Sequence, residues 1–574
     1  MVKFSQKPGG SAWKQAVKSA IFLAQRVRRN KEEKMKVLVL GGVAAGTKIA
    51  AKLMREDRST EVVVLNKGKN ISYAGCGLPY YVGHVIEEKE QLIVNTPEKY
   101  EKLTGVKVLT ETEAVKVDPE AKKVVAKDVN TGAETEYDYD KLVISVGASP
   151  VKPPIEGVDL GNVFFVRTPE DAIAIREAVD SGEIKKAVVV GAGYIGLEIA
   201  ENLKAKGIRP FVLDMAPQVL PGFDPEMAEY VQNKLVEAGI PVVTGVRVTG
   251  IEGDGKVQKV LTDKKAYKTD LVVLSAGIRP NTEFLNDTGL EMFKGTILTN
   301  EFGETNLKDI YAAGDCAMVH NALTGKPAWS PMGSTANIAG RIIAQNMLGK
   351  ELGYKGVLGT AVCKLPGLNA GRTGLTEEQA KAEGFNPVSV ITLVDDKAHY
   401  YPGAGTFTIK MIADKDSLKL LGIQVLGAGA VDKVVDIAVT GIMCGATLND
   451  LANMDLAYAP PFSTAIHPFE HTLNVLLNKI SGAFETITPA EYLAGAAEGY
   501  KVVDACLKPS IEGAPYVELT TVEGPVDGLD PEEKILLVCT KGKRAYLLQT
   551  RLKFYGYKNT RVLEGGIGFN DVEL

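Results

Sequence analysis

KKAVVVGAGYIGLEIAENLKAKGIRPFVLD, residues 185–214, reads as a buried strand, a turn with Gly191, Gly193 and Gly196, a helix, and a second strand ending at Asp214. Glycines at this spacing let backbone N–H groups and the positive end of the helix approach a pyrophosphate. A carboxylate at the end of the second strand accepts bonds from ribose hydroxyls and repels a 2′-phosphate, so Asp214 points to NADH over NADPH. Tyr194 and Ile195 complete the turn, and Gly277, in the strand end DLVVLSAGIRPN (270–281), is assigned to the same nucleotide site.

A second copy lies upstream. KVLVLGGVAAGTKIAAKLMR (36–55) places Gly41, Gly42, Ala45 and Gly46 in the turn, with Val43 at the usual middle glycine. The next strand, EVVVLNKG, ends at Asn66, which bonds a hydroxyl as an amide rather than as a carboxylate. Two further strand ends follow, VISVGASP (143–150) with Gly147 and LKDIYAAGDCA (307–317) with Gly314 and Asp315, where a carboxylate can bond the ribityl chain of a flavin. The order is informative: one nucleotide fold is interrupted by another and completed by the Gly-Asp segment.

Over roughly residues 35–470 this order resembles the flavoprotein disulfide reductases with two dinucleotide-binding domains. The resemblance implies FAD in the first fold and NAD(P)H in the second. The expected fold is α/β, with two Rossmann-like dinucleotide-binding domains, an α+β dimerisation domain and a small α/β rhodanese-like domain. The expected boundaries are an FAD-binding domain over 35–150 and 281–345, an NAD(P)H-binding domain over 151–280, and a dimerisation domain over 346–470. A linker over 471–483 and the last domain over 484–574 complete the chain.

Length and charge agree with that division. At roughly 150 residues per domain, 574 residues predict about four folding units. With 45% apolar and 24% charged residues the chain is neither disordered, collagenous nor a coiled coil. No apolar run reaches the roughly 20 residues that span a bilayer, which argues against integral membrane association. Residues 1–34 hold nine Lys and Arg against Glu32 and Glu33, a surplus of +7 that leaves −12 on the rest of a chain whose net charge is −5. That segment reads as a basic extension, disordered or a short helix, and the acidic body speaks against nucleic-acid binding. Six cysteines without a CxxC pair argue against a disulfide framework or a zinc site and fit a reducing, cytoplasmic compartment.

Chemistry concentrates in NISYAGCGLPYYVG (70–83), where Cys76 stands alone in a Gly-flanked turn. Dithiol reductases carry two cysteines a few residues apart and pass electrons through an internal disulfide. A lone thiol takes electrons only as a mixed disulfide, persulfide or sulfenic acid, so the second sulfur, or a peroxide oxygen, comes from the substrate. The segment resembles coenzyme A disulfide reductases and NADH-dependent persulfide reductases, with Gly75 in place of an Asn that often precedes the cysteine. That resemblance extends to YAPPFS (458–463), and it implies a homodimer in which Tyr458 reaches the partner's redox cysteine as a proton donor. Tyr400, in HYYPG (399–403), is expected to be a second such tyrosine. It also implies coenzyme A contacts at Ser72 and on the helix bearing Lys48, Lys52 and Arg55, a basic stripe suited to phosphates. His467 is expected at a surface or interface, and Cys316, Cys363 and Cys444 as structural residues.

Near the C-terminus, KILLVCTKGKRAYLLQTRLKFYGYKNTRVLEGG (534–566) reads as a buried strand ending at Cys539, a four-residue loop TKGK, and a helix opened by Arg544. Loop N–H groups and the helix N-terminus stabilise a thiolate or persulfide at the loop centre. This segment resembles a rhodanese domain, with Cys539 as sulfur carrier and Arg544 in its active site. Where rhodaneses usually have Asp-x-Arg, this chain has Asp504, Ala505 and Cys506, the last expected as a core residue. The expected activity is NAD(P)H-dependent, FAD-dependent reduction of coenzyme A persulfide, polysulfide or disulfide, with sulfur relayed by Cys539. A water-forming NADH oxidase or peroxidase cycling a sulfenic acid, and a redox-sensing flavoprotein without turnover, are the rival readings.

Overall fold

A computed structural model describes residues 34–572. The basic extension lies outside them except for Lys34. Val37 to Leu40 form a continuously buried run, as expected of a central parallel strand covered on both faces. The strand Lys36–Leu40 pairs in parallel with Glu61–Leu65 on one side and Lys141–Ile144 on the other, with Lys107–Leu109 and Ile310–Ala312 at the edges. Strand order reverses at the centre, which opens a crevice at the carboxyl ends, beside Gly41 and Ser145.

A second five-stranded parallel sheet runs Val242–Val243, Arg209–Leu213, Lys186–Val190, Leu271–Leu274, Val163–Phe165. It is an insertion: the chain leaves the first sheet through Ala148–Pro150 and returns through Ile278–Pro280, and these two segments pair antiparallel.

The two sheets repeat one turn geometry. Gly41 and Gly191 hold φ of +98° and +114°, and a Cβ on either would lie 2.2 Å from Ser145 O or 2.4 Å from Ser275 O. A Cβ on Gly46 or Gly196 would lie 1.9 or 2.0 Å from the carbonyl of Gly41 or Gly191. Helix and strand therefore touch backbone to backbone, which only glycine permits. Ser145 and Ser275 buttress the turns by donating to Leu40 O at 2.8 Å and Val190 O at 3.0 Å. Their signal was the shared spacing two residues before Gly147 and Gly277.

The third unit is a five-stranded antiparallel sheet, Ala361–Leu365, Leu368–Gly374, Leu420–Gly427, Thr406–Asp414, Pro387–Asp395, covered by the helices Val431–Cys444 and Pro468–Ile480. The last unit is a four-stranded parallel sheet, Thr486–Ile487, Thr560–Leu563, Ile535–Val538, Lys501–Asp504. Phe469 and Leu473 of the third unit share one buried cluster with Leu537, Ala545 and Leu548 of the last. Glu564, 2% exposed, accepts from Ile391 N–H at 2.8 Å and pairs with Lys479 at 2.6 Å, while Phe569 stacks on Tyr230 at 5.1 Å. The C-terminal unit is thus docked on the rest of the chain.

Two expectations are corrected. His467 is 4% exposed, and its Nδ1 accepts Phe469 N–H at the start of the helix Pro468–Ile480. Burial, with the charge of Lys433, pushes its pKa down to about 4, so it is a neutral helix cap rather than a surface group. Cys444, expected among apolar neighbours, is exposed at the end of the helix Val431–Cys444.

Candidate active site

Cys76 sits in a single 3-10 turn, Gly75–Gly77, that leads into the helix Leu78–Val82 with Pro79 in its first turn. Its thiol is exposed, and all six cysteines are free. Cys316 and Cys363 are buried, and burial raises both thiols to about 12. Among the described residues Cys76 is bonded to no other cysteine.

The short helix after Cys76 is pressed against the helix Tyr194–Ala205 of the inserted fold. A Cβ on Gly83 would lie 2.0 Å from Asn202 Oδ1, and Tyr80 OH donates to Glu198 Oε1 at 3.0 Å. Burial lifts the Glu198 carboxyl to about 7. The Cys76 thiol is raised by desolvation, then by Glu198 and Asp315, with Arg167 acting in the opposite direction. Glu198, Tyr80 and Arg167 were missed in the sequence, although Glu198 is the acid of GAGYIGLE. Above about pH 7 Glu198 is an anion that opposes thiolate formation. Glu198→Gln is therefore expected to speed iodoacetamide alkylation of Cys76 at pH 8 by roughly three- to tenfold, measured by peptide mass.

In the first fold, Asn66 accepts Gly42 N–H at 3.0 Å and donates to Gly68 O and Asn70 O. Its amide shapes the glycine turn, with Nδ2 fully engaged. Asp315 Oδ2 accepts from Arg167 Nη2 at 2.8 Å, and Trp329 Nε1 holds the Asp315 carbonyl at 2.9 Å. Gly314 approaches Ala45, its hypothetical Cβ 3.3 Å from the Ala45 Cβ. Asp214 accepts N–H groups from Ala192 and Ala216 at 2.6 and 2.7 Å, closing the second turn.

The basic stripe is only partly free. Lys52 is paired with Glu56, which also pairs with Lys350 at 3.3 Å, whereas Arg55 is exposed and Lys48 half-buried against Gly340. Ser72, at φ +46°, donates its N–H to Gly42 O at 3.0 Å, and its hydroxyl accepts from Asn95 at 3.4 Å. The structure brings Tyr400 and Tyr458 together. Both are exposed, and a hydrogen bond that Tyr458 donates to Tyr400 raises the Tyr458 phenol. Among the described residues neither shares a hydrogen bond with Cys76 of its own chain.

A family model described as pyridine nucleotide-disulphide oxidoreductase matches residues 35–337, and its dimerisation domain matches 360–468. This chain belongs to that family. The oxidoreductase is 38% identical over 448 residues to a protein of Methanocaldococcus jannaschii named NADH oxidase, covering 78% of this chain and all of that one. It is 36% identical to the NAD(P)H coenzyme A polysulfide/persulfide reductase of Pyrococcus horikoshii, covering 76% of this chain and 97% of the other. Among solved structures it is similar to an NAD-dependent persulfide reductase from A. fulgidus, with TM-score 0.88, 37% identity, and coverage of 93% and 100%.

The oxidoreductase is FAD- and NAD(P)H-dependent, and its residues fit both groups. The helices Ala45–Glu56 and Tyr194–Ala205 begin at Ala44 and Gly193 without a capping side chain, leaving their first N–H groups to a phosphate. Open space surrounds Gly193 and Gly277, with no atom within 4 Å of a Cβ built there. Ile195 is 43% exposed at the same mouth, and Tyr194, beside it, keeps a buried hydroxyl without a partner.

In the C-terminal unit of the oxidoreductase, the buried strand Ile535–Val538 delivers Cys539 beneath the helix Lys543–Phe554, and Ala545 N–H points to its sulfur at 3.4 Å. Arg544 bonds Ala505 O at 3.0 Å and Glu518 at 2.9 Å, so it braces the loop; no described bond joins it to Cys539 Sγ. Asp504, fully buried, accepts N–H from Cys506, Ser510 and Ile511, and Thr540 donates to Cys506 Sγ at 3.8 Å. Lys541, inside the loop, pairs with Asp395 at 2.7 Å and Thr406 at 3.1 Å, tying the loop to the antiparallel sheet.

Proposed function

We propose that this oxidoreductase reduces the persulfide or disulfide of coenzyme A through Cys76 and works as a homodimer. In this reading the C-terminal unit is a rhodanese-like sulfur carrier. The single observation that carries it is Cys76 itself, an exposed thiol in a turn joined to the NAD(P)H-binding helix, with no cysteine partner in the chain.

Bound FAD accepts hydride equivalents from NAD(P)H and makes them available to sulfur. Gly41, Gly42, Ala45, Gly46, Gly147, Gly314 and Asp315 would hold it, with Asn66 shaping the turn from behind. Gly191, Gly193, Tyr194, Ile195, Gly196, Asp214 and Gly277 would hold the nicotinamide nucleotide. The Cys76 thiolate attacks the inner sulfur of a persulfide, forming a mixed disulfide and releasing hydrosulfide; with a disulfide it releases a thiol. The electron pair given up by NAD(P)H then cleaves the mixed disulfide to the Cys76 thiolate and a coenzyme A thiolate, and the proton of the hydride returns to the tyrosine that protonates the latter. Lys48, Arg55 and Ser72 would bind the coenzyme A phosphates.

Tyr458 would give the proton to the departing thiolate across the dimer. Its phenol, raised by the hydrogen bond to Tyr400, is protonated across the neutral range, the state from which a proton is given, although the same bond makes it the weaker acid. Tyr458→Phe is expected to lower kcat by about 10²-fold while NADH still bleaches the flavin at the wild-type rate. Anaerobic NADH oxidation tests the whole reading with coenzyme A persulfide, coenzyme A disulfide and polysulfide, in wild type and Cys539→Ser. Loss of polysulfide turnover alone in Cys539→Ser assigns the carrier step to that cysteine, and equal loss on all three refutes the division of labour. The relative named NADH oxidase keeps a second reading in view. Steady oxygen consumption with NADH in the absence of any thiol, abolished in Cys76→Ser, would favour it.

A further inference from the structure

Lys410 lies in the strand Thr406–Asp414 of the antiparallel sheet, 3% exposed, and its ammonium reaches the inserted fold. It pairs with Glu226 at 2.5 Å and Asp224 at 3.3 Å, and with Glu377 of its own unit at 3.3 Å. Asp224 and Glu226 are themselves buried. Burial works against the charge of Lys410, but the three carboxylates outweigh it, so the group stays an ammonium. Gln424, directly opposite Lys410 on the neighbouring strand, completes the grip. Its amide oxygen accepts Asp224 N–H at 2.9 Å, and its amide nitrogen donates to Asp224 Oδ2.

The gripped residue ends a segment that shapes the second glycine turn. Residues 214–223 join the strand Arg209–Leu213 to the helix Pro225–Glu237. They clasp Ala192, between Gly191 and Gly193, from both sides: Asp214 Oδ2 accepts Ala192 N–H at 2.6 Å, and Leu220 N–H donates to Ala192 O at 3.0 Å. Leu220 makes that bond at φ +48°, a left-handed conformation that a residue with a Cβ holds only where its surroundings impose it. Phe223 N–H returns to Leu220 O at 3.1 Å, and Gln218 Nε2 closes on Phe223 O at 2.9 Å. Gly222, at φ +103°, passes so near the antiparallel sheet that a Cβ there would lie 2.1 Å from Arg372 Nη1. The strained residue is therefore held between Asp214 at one end and the Lys410–Gln424 grip on Asp224 at the other.

We propose that Lys410 is a positioning residue for the nicotinamide nucleotide: by holding Asp224 and Glu226 it keeps residues 214–223 closed on Ala192, and so keeps the glycine turn in the shape that receives the pyrophosphate. It acts through that segment and not on the reacting atoms. The inference rests on the assignment of NAD(P)H to the inserted fold.

Its test is the NADH dependence of flavin bleaching, followed by anaerobic stopped flow on the flavin-loaded full chain. Lys410→Met is expected to raise the half-saturating NADH concentration by about tenfold and to leave the limiting rate within about threefold of wild type. Glu377→Gln separates positioning from general loosening, because the Glu377 side chain bonds Lys410, Lys381 and Ser389 and no residue of the segment. That variant is expected to melt at a lower temperature with an unchanged half-saturation. Wild-type half-saturation in Lys410→Met, or an equal rise in both variants, overturns the proposal. If Lys410→Met does not fold, Asp224→Asn decides, since it keeps the side-chain shape and removes the charge that Lys410 holds. A rise of about threefold or more there supports the proposal, and a wild-type value overturns it. Bleaching by NADH at the wild-type rate in Gly196→Ala refutes the assignment of the nucleotide to this fold instead, so the two failures are distinguishable.

Discussion

Cys76→Ser protein is expected to purify yellow, to bleach with NADH, and to turn over coenzyme A persulfide and disulfide at least about 10³-fold more slowly than wild type. The chain offers no substitute. Cys316 and Cys363 are buried thiols raised to about 12, Cys506 and Cys539 lie within the C-terminal unit, and Cys444 ends a helix of the antiparallel domain. A hydroxyl at position 76 preserves the turn and removes the sulfur, so flavin reduction and sulfur chemistry separate. Stopped-flow bleaching beside steady-state NADH oxidation distinguishes the two steps.

Alanine at the third glycine of each turn is the second large effect, and the two copies should fail differently. A Cβ at position 46 meets Gly41 O at 1.9 Å and Ser145 Oγ at 2.7 Å, so the helix Ala45–Glu56 must lift off its strand. Gly46→Ala is expected to retain less than roughly a tenth of the wild-type flavin, because the pyrophosphate site is the junction of that helix and strand. The same clash at position 196, with Gly191 O at 2.0 Å and Ser275 Oγ at 2.7 Å, displaces the nucleotide helix of the inserted fold. Gly196→Ala is expected to keep its flavin and lose on the order of 100-fold in the rate at which NADH reduces it. Flavin absorbance per protein and bleaching rate are the two measurements. Flavin loss from Gly196→Ala alone would reverse the assignment of the two folds.

The glycine turns were legible because their constraint is local backbone geometry: six residues of sequence state how closely a helix must approach its strand. The lone Cys76 was legible for a related reason, since absence of a neighbouring cysteine is a property of sequence. Contacts spanning the chain were not. Tyr80–Glu198 and Arg167–Asp315 join residues 118 and 148 positions apart, and their pairing depends on how one fold sits on the other. Asn66 was legible as a candidate hydroxyl ligand from its place at the strand end, whereas its bonds to Gly42, Gly68 and Asn70, which shape the turn, had no sequence signal. The spacing of Lys48, Lys52 and Arg55 indicated one helical stripe, and the same i,i+4 rule, passed over in the sequence, pairs its middle member with Glu56. His467 was misplaced because a His-Pro pair reads equally as a loop and as a helix start, and only burial decides. Cys506 was read correctly as a core residue, whereas its sulfur bond to Thr540 of the carrier loop had no sequence signal.

The central claim is that residue 76 completes its disulfide with a sulfur the protein does not own. Peptide mass analysis of enzyme oxidised with coenzyme A disulfide, before and after NADH, tests it most directly. The account predicts that the peptide bearing Cys76 carries one coenzyme A and sheds it when NADH is added. A Cys76 found bonded to another cysteine of the chain, or unmodified while turnover proceeds, would contradict it.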